Sequence, residues 1–458
     1  MKLEEQIKEL FRTIHESNTN YETLAGSLPN FTTVDSGLQV SFSSSARKQL
    51  KDCSEALYKH HVFEDVKFDE KEYFSLTRQA SAEVYSDILL NSKDIETIPS
   101  QEFKEKIKSK MVELVKNVRT DFTFYLPVNT LGIEIEGPYT LGPVTIVSRD
   151  TWIDMVTPHR SVVQNAAEGN GEWRENLKLA LSDKNAHVEF GFWTSMIYGA
   201  VQDTKAFIKI SVSGRQQKLS SKLARLTAKA ALDSLSLLTG NPGAFRRQTL
   251  FEERRSPSQS HDLVEVGGFL GFPGFGISPD IGLPQMRRSM FTQNNQEVLD
   301  SISVILDGFA APENAKYPQL CSRWATALDW YGEACRESND AIAIAKFGTS
   351  LDVLSCCGGK ADGIARMVSN LTGLGLEENV MLSGPEVSLM KMIKNIYEEG
   401  RSQILHGNKF DRLKSFEELK LLACSFARST LIASALALQQ YTDEDVHNGF
   451  SKMTLQQS

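Results

Sequence analysis

The sequence predicts an α+β protein of more than one domain, with a mixed helix and strand region followed by a C-terminal all-α bundle. Apolar residues recur at helical spacing at both ends of the chain and alternate in its middle. With 458 residues, 41% of them hydrophobic and 24% charged, the chain is long enough for two or three packed domains. We divide it into a mostly helical region (1–120), a mixed strand and helix region with a Gly- and Arg-rich connection (121–293), a helical bundle (294–442) and a polar tail (443–458).

The N-terminal segment is acidic from Glu4 onward and carries apolar residues at helical spacing from Leu3 to Ile14. This pattern predicts a helix and not a signal peptide. No apolar run approaches the length that crosses a bilayer. The six cysteines lack the spacing of a disulfide framework or of a zinc site. We therefore expect a cytoplasmic protein with no membrane partner, no metal and no cofactor.

In the middle region, alternating apolar residues predict strands at 122–126, 131–136, 144–147 and 206–212, and a long helix at 216–238. The glycine-rich stretch from Gly267 to Gly276 lacks the lysine of a phosphate loop, so we interpret it as a connection with its apolar side chains tucked down. After residue 294, apolar spacing predicts helices at 298–309, 321–335, 340–354, 389–406 and 415–440. Consecutive helices of this kind favour an antiparallel bundle.

The net charge of −8 means that any contact with nucleic acid must be local, because the average surface repels phosphate. A weak candidate for RNA binding is formed by four arginines: Arg246, Arg247, Arg254 and Arg255. Glu252 and Glu253 lie between these arginines and reduce the positive charge of the patch, so the alternative interpretation is a cluster of surface ion pairs.

The strongest chemical signal is Arg401, followed five positions later by His406 and then by the helix-ending Gly407. A guanidinium suits a phosphate, and histidine changes charge near neutral pH, so the pair suits RNA cleavage. On a regular helix the two side chains point about 140° apart. They converge only if the helix is distorted or if a second copy of the site faces the first.

A short Arg–His pattern also arises by chance, and two structural alternatives exist. His406 could simply favour the negative end of a helix dipole, and Arg401 could pair with Glu398. Tyr397, one turn before Arg401, we interpret as a packing residue.

Three segments in order, 323–331 (RWATALDWY), 347–354 (FGTSLDVL) and 397–407 (YEEGRSQILHG), resemble the ApeA-like branch of the HEPN superfamily. The resemblance implies an all-helical, dimerising domain that places two R-x4–6-H motifs in one composite cleft. It implies Arg401 and His406 as the catalytic pair and Asp352 as the acidic position on the preceding helix. Ser402 stands where active members often carry Asn, Asp or His.

From this resemblance we expect a metal-independent endoribonuclease that cuts RNA by attack of the 2′-hydroxyl, in anti-phage defence or as a toxin. We expect a homodimer or a dimer-based oligomer, with an N-terminal region that senses a phage-derived or nucleotide trigger. One alternative is a catalytically silent HEPN module that binds RNA or supports assembly. The other is a HEPN toxin paired with a nucleotidyltransferase antitoxin.

Overall fold

A computed structural model describes residues 2–20, 30–59, 66–91, 93–116, 118, 120–157, 172–183, 187–188, 190–253, 259–261, 263–272, 274–277, 282–381, 385–407 and 415–454. The chain divides into two compact units. The first comprises residues 1–122 and 212–223, and the second comprises residues 123–211 and 224–458. The α+β fold class predicted from the sequence is confirmed, including strands in the N-terminal region and an all-helical C-terminal portion.

In order along the chain, the described residues of the first unit form α1 (Leu3–Thr19), a hairpin of β1 (Asn30–Thr33) and β2 (Gln39–Phe42), and then α2 (Ser44–Lys59), α3 (Glu70–Leu90) and α4 (Ser100–Val115). The apolar residues predicted to form one face of α1 are fully buried, as Ile7, Leu10 and Ile14 show. The ring of Phe11 packs on Phe103 of α4 with centroids 4.6 Å apart. The helical prediction for this segment is confirmed.

The second unit contains a five-stranded sheet and a helical bundle. Its strands are β3 (Phe122–Asn129), β4 (Tyr139–Leu141), β5 (Val144–Ser148), β6 (Ala206–Val212) and β7 (Thr249–Leu250), in the order β4-β5-β6-β3-β7. In the described part of the connection from β5 to β6 lie α5 (Arg149–Met155), α6 (Glu172–Ser182) and α7 (Phe192–Val201), and α8 (Gln217–Thr239) and α9 (Ala244–Arg247) precede β7. Trp152 of α5 stacks on Phe207 of β6 with ring centroids 4.6 Å apart.

The strand predicted at 131–136 is wrong, because these residues form consecutive turns. Gly132 adopts φ +93° and Gly137 adopts φ +112°, conformations that interrupt a strand. The amide of Ile135 donates to the carbonyl of Gly132 at 3.1 Å, which closes one of the turns. The alternation of Leu131, Ile133 and Ile135 therefore reflects burial of the first two around a turn and not a strand face.

The glycine-rich stretch also differs from its interpretation. Short strands occur at β8 (Gln259–His261), β9 (Val264–Val266), β10 (Phe269–Gly271) and β11 (Phe275–Ile277), with β9 paired to β10 and β8 to β11. Its apolar side chains are not buried as expected, since Phe269 is 80% exposed and Phe272 is 77% exposed. Gly267 and Gly268, both at positive φ, form the turn of the β9–β10 hairpin.

The bundle comprises α10 (Arg288–Ala310), α11 (Pro318–Arg336), α12 (Asp340–Ser355), α13 (Ala361–Thr372), a composite helix at 389–406 described below, and a last helix, Glu417–Gln440. Helix α12 lies in the middle and packs against α11, the composite helix and the last helix. Trp324 of α11 is fully buried and donates to the Leu431 carbonyl at 3.0 Å. Phe450, in the segment predicted as a polar tail, is fully buried.

Helix α13 was not predicted, although Ile364, Val368 and Leu371 lie at helical spacing and are fully buried. The last helix, Glu417–Gln440, is long and apolar enough to span a bilayer by length and composition. Most of it is buried inside the bundle, and the core helix of a globular domain has the same composition.

Candidate functional site

Arg401 and His406 lie on one continuous helix with a distorted middle, here called the motif helix. It begins as an α-helix, Leu389–Lys394, continues as a π-helix, Asn395–Ser402, and ends as one α-helical turn, Gln403–His406. Gly407 follows at φ +67° and stops it, as the sequence predicted. A π-helical segment inserts an extra residue per turn and often marks a functional site, so the distortion coincides with the motif.

Two glycines let the motif helix approach α12 closely. A Cβ atom at Gly400 would lie 2.5 Å from Cγ2 of Ile344, and one at Gly348 would lie 3.0 Å from Cβ of Arg401. The distance at Gly400 is shorter than a carbon–carbon contact allows, so a larger residue there would push the two helices apart, whereas the distance at Gly348 is tight and would require Arg401 to shift by a few tenths of an ångström. The close approach brings the side chain of Arg401 across the face of α12 that carries Thr349 and Asp352.

Four side chains here form what we call the arginine cluster: Thr349, Asp352, Tyr397 and Arg401. Nη2 of Arg401 lies 3.3 Å from Oδ2 of Asp352. Nη1 donates to the Tyr397 hydroxyl at 2.8 Å, and Nε donates to Oγ1 of Thr349 at 3.3 Å. The guanidinium carbon lies 4.9 Å from the centre of the Tyr397 ring, within cation–π range. All three guanidinium nitrogens therefore have a partner.

Tyr397 connects the two charges of the cluster. Its hydroxyl donates to Oδ2 of Asp352 at 3.2 Å while accepting from Arg401. Burial, and then the negative charge of Asp352, raise the pKa of Tyr397, so the hydroxyl stays protonated at neutral pH. Only 6% of Tyr397 is exposed. The interpretation of Tyr397 as a packing residue agrees with its buried ring, but it did not predict that the hydroxyl links Arg401 to Asp352.

The structure brings together two of the predicted site residues, Arg401 and Asp352. The ion pair that Arg401 makes is with Asp352 and not with Glu398, which is exposed. The side chain of Arg401 is 26% exposed and that of Asp352 is 18% exposed, so the pair lies at the protein surface with one edge open. Thr349 was not predicted; its position one turn before Asp352 on α12 was the available signal.

His406 does not join this cluster. It is exposed in the last helical turn, and in the described part of the chain no hydrogen bond or ion pair links it to Arg401. The π-helical segment ends at Ser402, so the residues from Gln403 to His406 keep α-helical geometry. The distortion therefore includes Arg401 and Ser402 but does not reach His406, and it does not bring the two side chains into contact.

The remaining predicted residues lie apart from the cluster or outside the described residues. Ser402 is half-buried, and no side-chain hydrogen bond involves it within the described ranges. Arg246 and Arg247 belong to α9 and line a cavity at the end of the sheet. Arg254 and Arg255 fall outside the described residues, so the four-arginine patch stays a prediction.

Beside the arginine cluster lies a cationic groove that the sequence analysis missed. It has a volume of about 560 Å³, and its charged lining residues are Lys360, Asp362, Arg366, Lys394 and Glu398. A Cβ atom on Gly359, in the same wall, would lie 3.0 Å from the Tyr397 hydroxyl, so the groove adjoins the cluster. The cations come from two separate stretches of sequence, Lys360 and Arg366 at α13 and Lys394 on the motif helix, so no single local pattern contains them.

A second arginine–histidine pair lies beyond the motif. Nη2 of Arg323 lies 3.2 Å from Nδ1 of His447, and Nη1 donates to the Val353 carbonyl at 2.6 Å. Both residues line an open cavity of about 420 Å³. Val353 follows Asp352 in the chain, but the two cavities share no lining residue. Arg323 and His447 are 124 positions apart, so a search for short motifs does not find them.

Among the residues that the structure describes, no group of three His, Cys, Asp or Glu side chains is placed to hold a metal ion. Metal independence stays a prediction. The chain matches no protein-family model, no curated protein and no solved structure. The resemblance to the HEPN superfamily therefore rests on the three sequence segments given above.

Proposed function

We propose that this protein is a metal-independent endoribonuclease of the HEPN type, acting in anti-phage defence or as a toxin. The proposal rests on the surroundings of Arg401. Its guanidinium is held by Thr349, Tyr397 and Asp352 beside a cationic groove, and an exposed histidine, His406, follows it five residues later in the chain. An orienting shell of this kind is what electrostatic catalysis on a phosphate requires.

The hydrogen-bond geometry leaves Arg401 able to bind a phosphate. A guanidinium has five N–H donors. Nε and Nη1 each donate one hydrogen bond, to Thr349 and to Tyr397, and Nη2 pairs with Asp352. Among the described residues no further partner of the guanidinium is seen, so both terminal nitrogens keep donors for a bidentate contact with a phosphate. In the proposed reaction these donors stabilise the negative charge that accumulates as the 2′-oxygen attacks phosphorus.

His406 supplies the proton transfers in this proposal. It withdraws the proton from the ribose 2′-hydroxyl as the new P–O bond forms, and the leaving 5′-oxygen takes a proton from a second His406 or from water. The products carry a 2′,3′-cyclic phosphate and a 5′-hydroxyl. Because no contact joins Arg401 to His406 among the described residues of one chain, a site that uses both is best completed by a second copy across a two-fold axis.

The cationic groove supports RNA as the substrate. Lys360, Arg366 and Lys394 face a cavity that adjoins Tyr397, where the phosphates flanking the cut bond would run. Lys394 already pairs with Asp362 at 3.1 Å, so Lys360 and Arg366 offer the greater share of the attraction. Contacts of this type depend on ionic strength and not on base sequence. The strand-containing N-terminal region is assigned, in this proposal, to sensing a trigger.

One observation favours the alternative of a catalytically silent RNA-binding module. Asp352 neutralises Arg401, and His406 lies apart from it in a single chain. If no second copy completes the site, the groove can still hold RNA without cutting it.

The test is to sequence cellular RNA ends after induced expression of the wild type, of His406→Ala and of a matched control, His187→Ala, which changes another exposed histidine of the same unit. New ends with the wild type and the control, and none with His406→Ala, are expected. Equal numbers of new ends with His406→Ala would exclude the assigned role. RNA that copurifies with the protein without new ends would support the silent module.

A further inference from the structure

The second unit contains a cavity of about 540 Å³ at one end of its five-stranded sheet, here called the sheet-end cavity. Its wall includes Asn129, the last residue of β3, Ser148, the last residue of β5, and Ala206, the first residue of β6. Ser148 pairs with Ala206 and Asn129 pairs with Thr249 of β7, so these strand ends meet at one edge. No residue of the motif helix lines it. A cavity of this volume is in the range that small-molecule ligands occupy.

Three cationic side chains line the sheet-end cavity: Lys205, Arg246 and Arg247. The two arginines occupy the end of α9, immediately before Gln248 and β7, and Nη2 of Arg246 donates to the Glu337 carbonyl at 3.4 Å. Lys205 comes just before β6. Neighbouring arginines beside a lysine are suited to a phosphate group, which accepts bidentate hydrogen bonds.

The same cavity is lined by a buried carboxylate. Glu134 is only 6% exposed and lies in the turn that the sequence analysis mistook for a strand. Both of its oxygens lie 2.9 Å from the Thr130 hydroxyl, and the Gly132 amide donates to that hydroxyl at 3.2 Å. Burial raises the pKa of Glu134.

One hydroxyl can donate only one proton, and a carboxylate has about four acceptor positions. Thr130 is the only side-chain donor to Glu134 among the described residues, and the backbone amide of Glu134 is a second donor to its carboxylate. Two donors leave about half of the acceptor positions at the cavity wall, which suits a ligand that presents hydroxyl groups. Asp203, the second acid of the wall, is exposed.

We propose that the sheet-end cavity binds a ribonucleotide, with its phosphate on Lys205, Arg246 and Arg247 and a ribose hydroxyl on Glu134. A carboxylate that accepts from ribose hydroxyls, combined with a separate phosphate site, is the arrangement by which nucleotide sites recognise ribose. The remaining polar residues of the wall, among them Asn129 and Gln285, offer amide groups for a base. The ligand is a free mononucleotide or the end of an RNA strand, which share this chemistry. The proposal does not depend on cleavage at the motif helix.

The test is calorimetric titration of the full chain with each of the four ribonucleoside monophosphates and, as comparisons, a 2′,3′-dideoxy monophosphate, a nucleoside and inorganic phosphate. At least one ribonucleotide should bind, at least tenfold more tightly than its dideoxy form. Lys205→Gln/Arg247→Gln should weaken that binding tenfold or more. Glu134→Gln should reduce the preference for the ribose form. A 5′-phosphorylated RNA hexamer that binds more tightly than the monomer identifies an RNA end as the source.

Lys178→Gln, which removes an exposed lysine of the same unit outside the cavity, is the control and should bind as the wild type does. Thermal unfolding of each variant checks that the cavity is intact. The proposal is overturned if no ribonucleotide binds at millimolar concentration. Inorganic phosphate binding as tightly as the nucleotide, or unchanged binding by folded Lys205→Gln/Arg247→Gln, would also overturn it.

Discussion

Removal of the Tyr397 hydroxyl should loosen Arg401 and destabilise the bundle by about 1–3 kcal/mol. The hydroxyl accepts from Arg401 at 2.8 Å and donates to Asp352 at 3.2 Å. Hydrogen bonds to charged groups contribute roughly 1.5–3 kcal/mol each, so two give an upper limit of about 3–6 kcal/mol. Tyr397→Phe keeps the ring under the guanidinium and leaves the direct contact of Arg401 with Asp352. Both charged side chains are partly exposed, so water can replace part of what is lost, which reduces the expected cost.

Intrinsic tryptophan fluorescence is a suitable measurement for this variant, because every tryptophan lies in the second unit: Trp152, Trp173, Trp193, Trp324 and Trp330. Chemical denaturation followed by this signal therefore reports on the unit that contains the arginine cluster. The matched control is Tyr441→Phe, whose hydroxyl makes an exposed hydrogen bond to the Glu444 carbonyl at 3.1 Å. That change should cost less than about 0.5 kcal/mol. Equal stabilities of the two variants would refute the bridging role of Tyr397.

Three further predictions follow from other contacts. Gly400→Ala should cost about 1–3 kcal/mol because its Cβ would lie 2.5 Å from Ile344, and it should cost less when made in an Ile344→Ala background; an equal cost in the two backgrounds would contradict the contact. Hydrogen bonds from Cys335 and then Tyr331 lower the pKa of Cys424 to about 7. The rate at which iodoacetamide labels Cys424 should therefore increase as the pH rises through about 7. Cys335→Ala should move the midpoint of this pH profile to a higher pH. As the pH rises above about 7, Cys424 should increase the free energy of unfolding, because its thiol loses a proton in the folded state but still holds it in the unfolded state. A labelling midpoint at the ordinary pKa of a thiol would contradict both the lowered pKa and this stability change. Mixed Arg401→Ala and His406→Ala chains should regain ribonuclease activity, because a hybrid pair retains one of each residue; no recovery, with exchange of chains shown by native mass spectrometry, would count against a shared site.

The sequence was sufficient where local periodicity determines structure. The apolar spacing of α1 and of the bundle helices, and the stop at Gly407, are properties of neighbouring residues, and each was predictable. Asp352 could be placed near Arg401 only through the family resemblance. The alternation of apolar and polar residues at 131–136 led to a wrong strand prediction, because two residues buried in a turn produce the same pattern as a strand.

The sequence was insufficient where contacts join distant segments. Gly400 packs against Ile344 of another helix, and no pattern within the motif helix reveals this contact. The bridging hydroxyl of Tyr397 depends on a residue 45 positions away, and the groove takes its cations from two separate stretches of sequence. The sheet-end cavity lies where the strand prediction failed. Such departures from simple sequence patterns are expected at functional sites, where the residues are determined by binding or catalysis and not by the stability of the fold.

The most direct test of the proposed function is cleavage of a defined RNA by the purified full-length protein in the presence of EDTA, with the chemistry of the new ends determined. We expect ends with a 2′,3′-cyclic phosphate and a 5′-hydroxyl, a loss of about a hundredfold or more in rate with Arg401→Ala or His406→Ala, and no cleavage where the ribose at the cut lacks its 2′-hydroxyl. Cleavage that requires Mg²⁺ and leaves 5′-phosphate ends would contradict the roles assigned to Arg401 and His406.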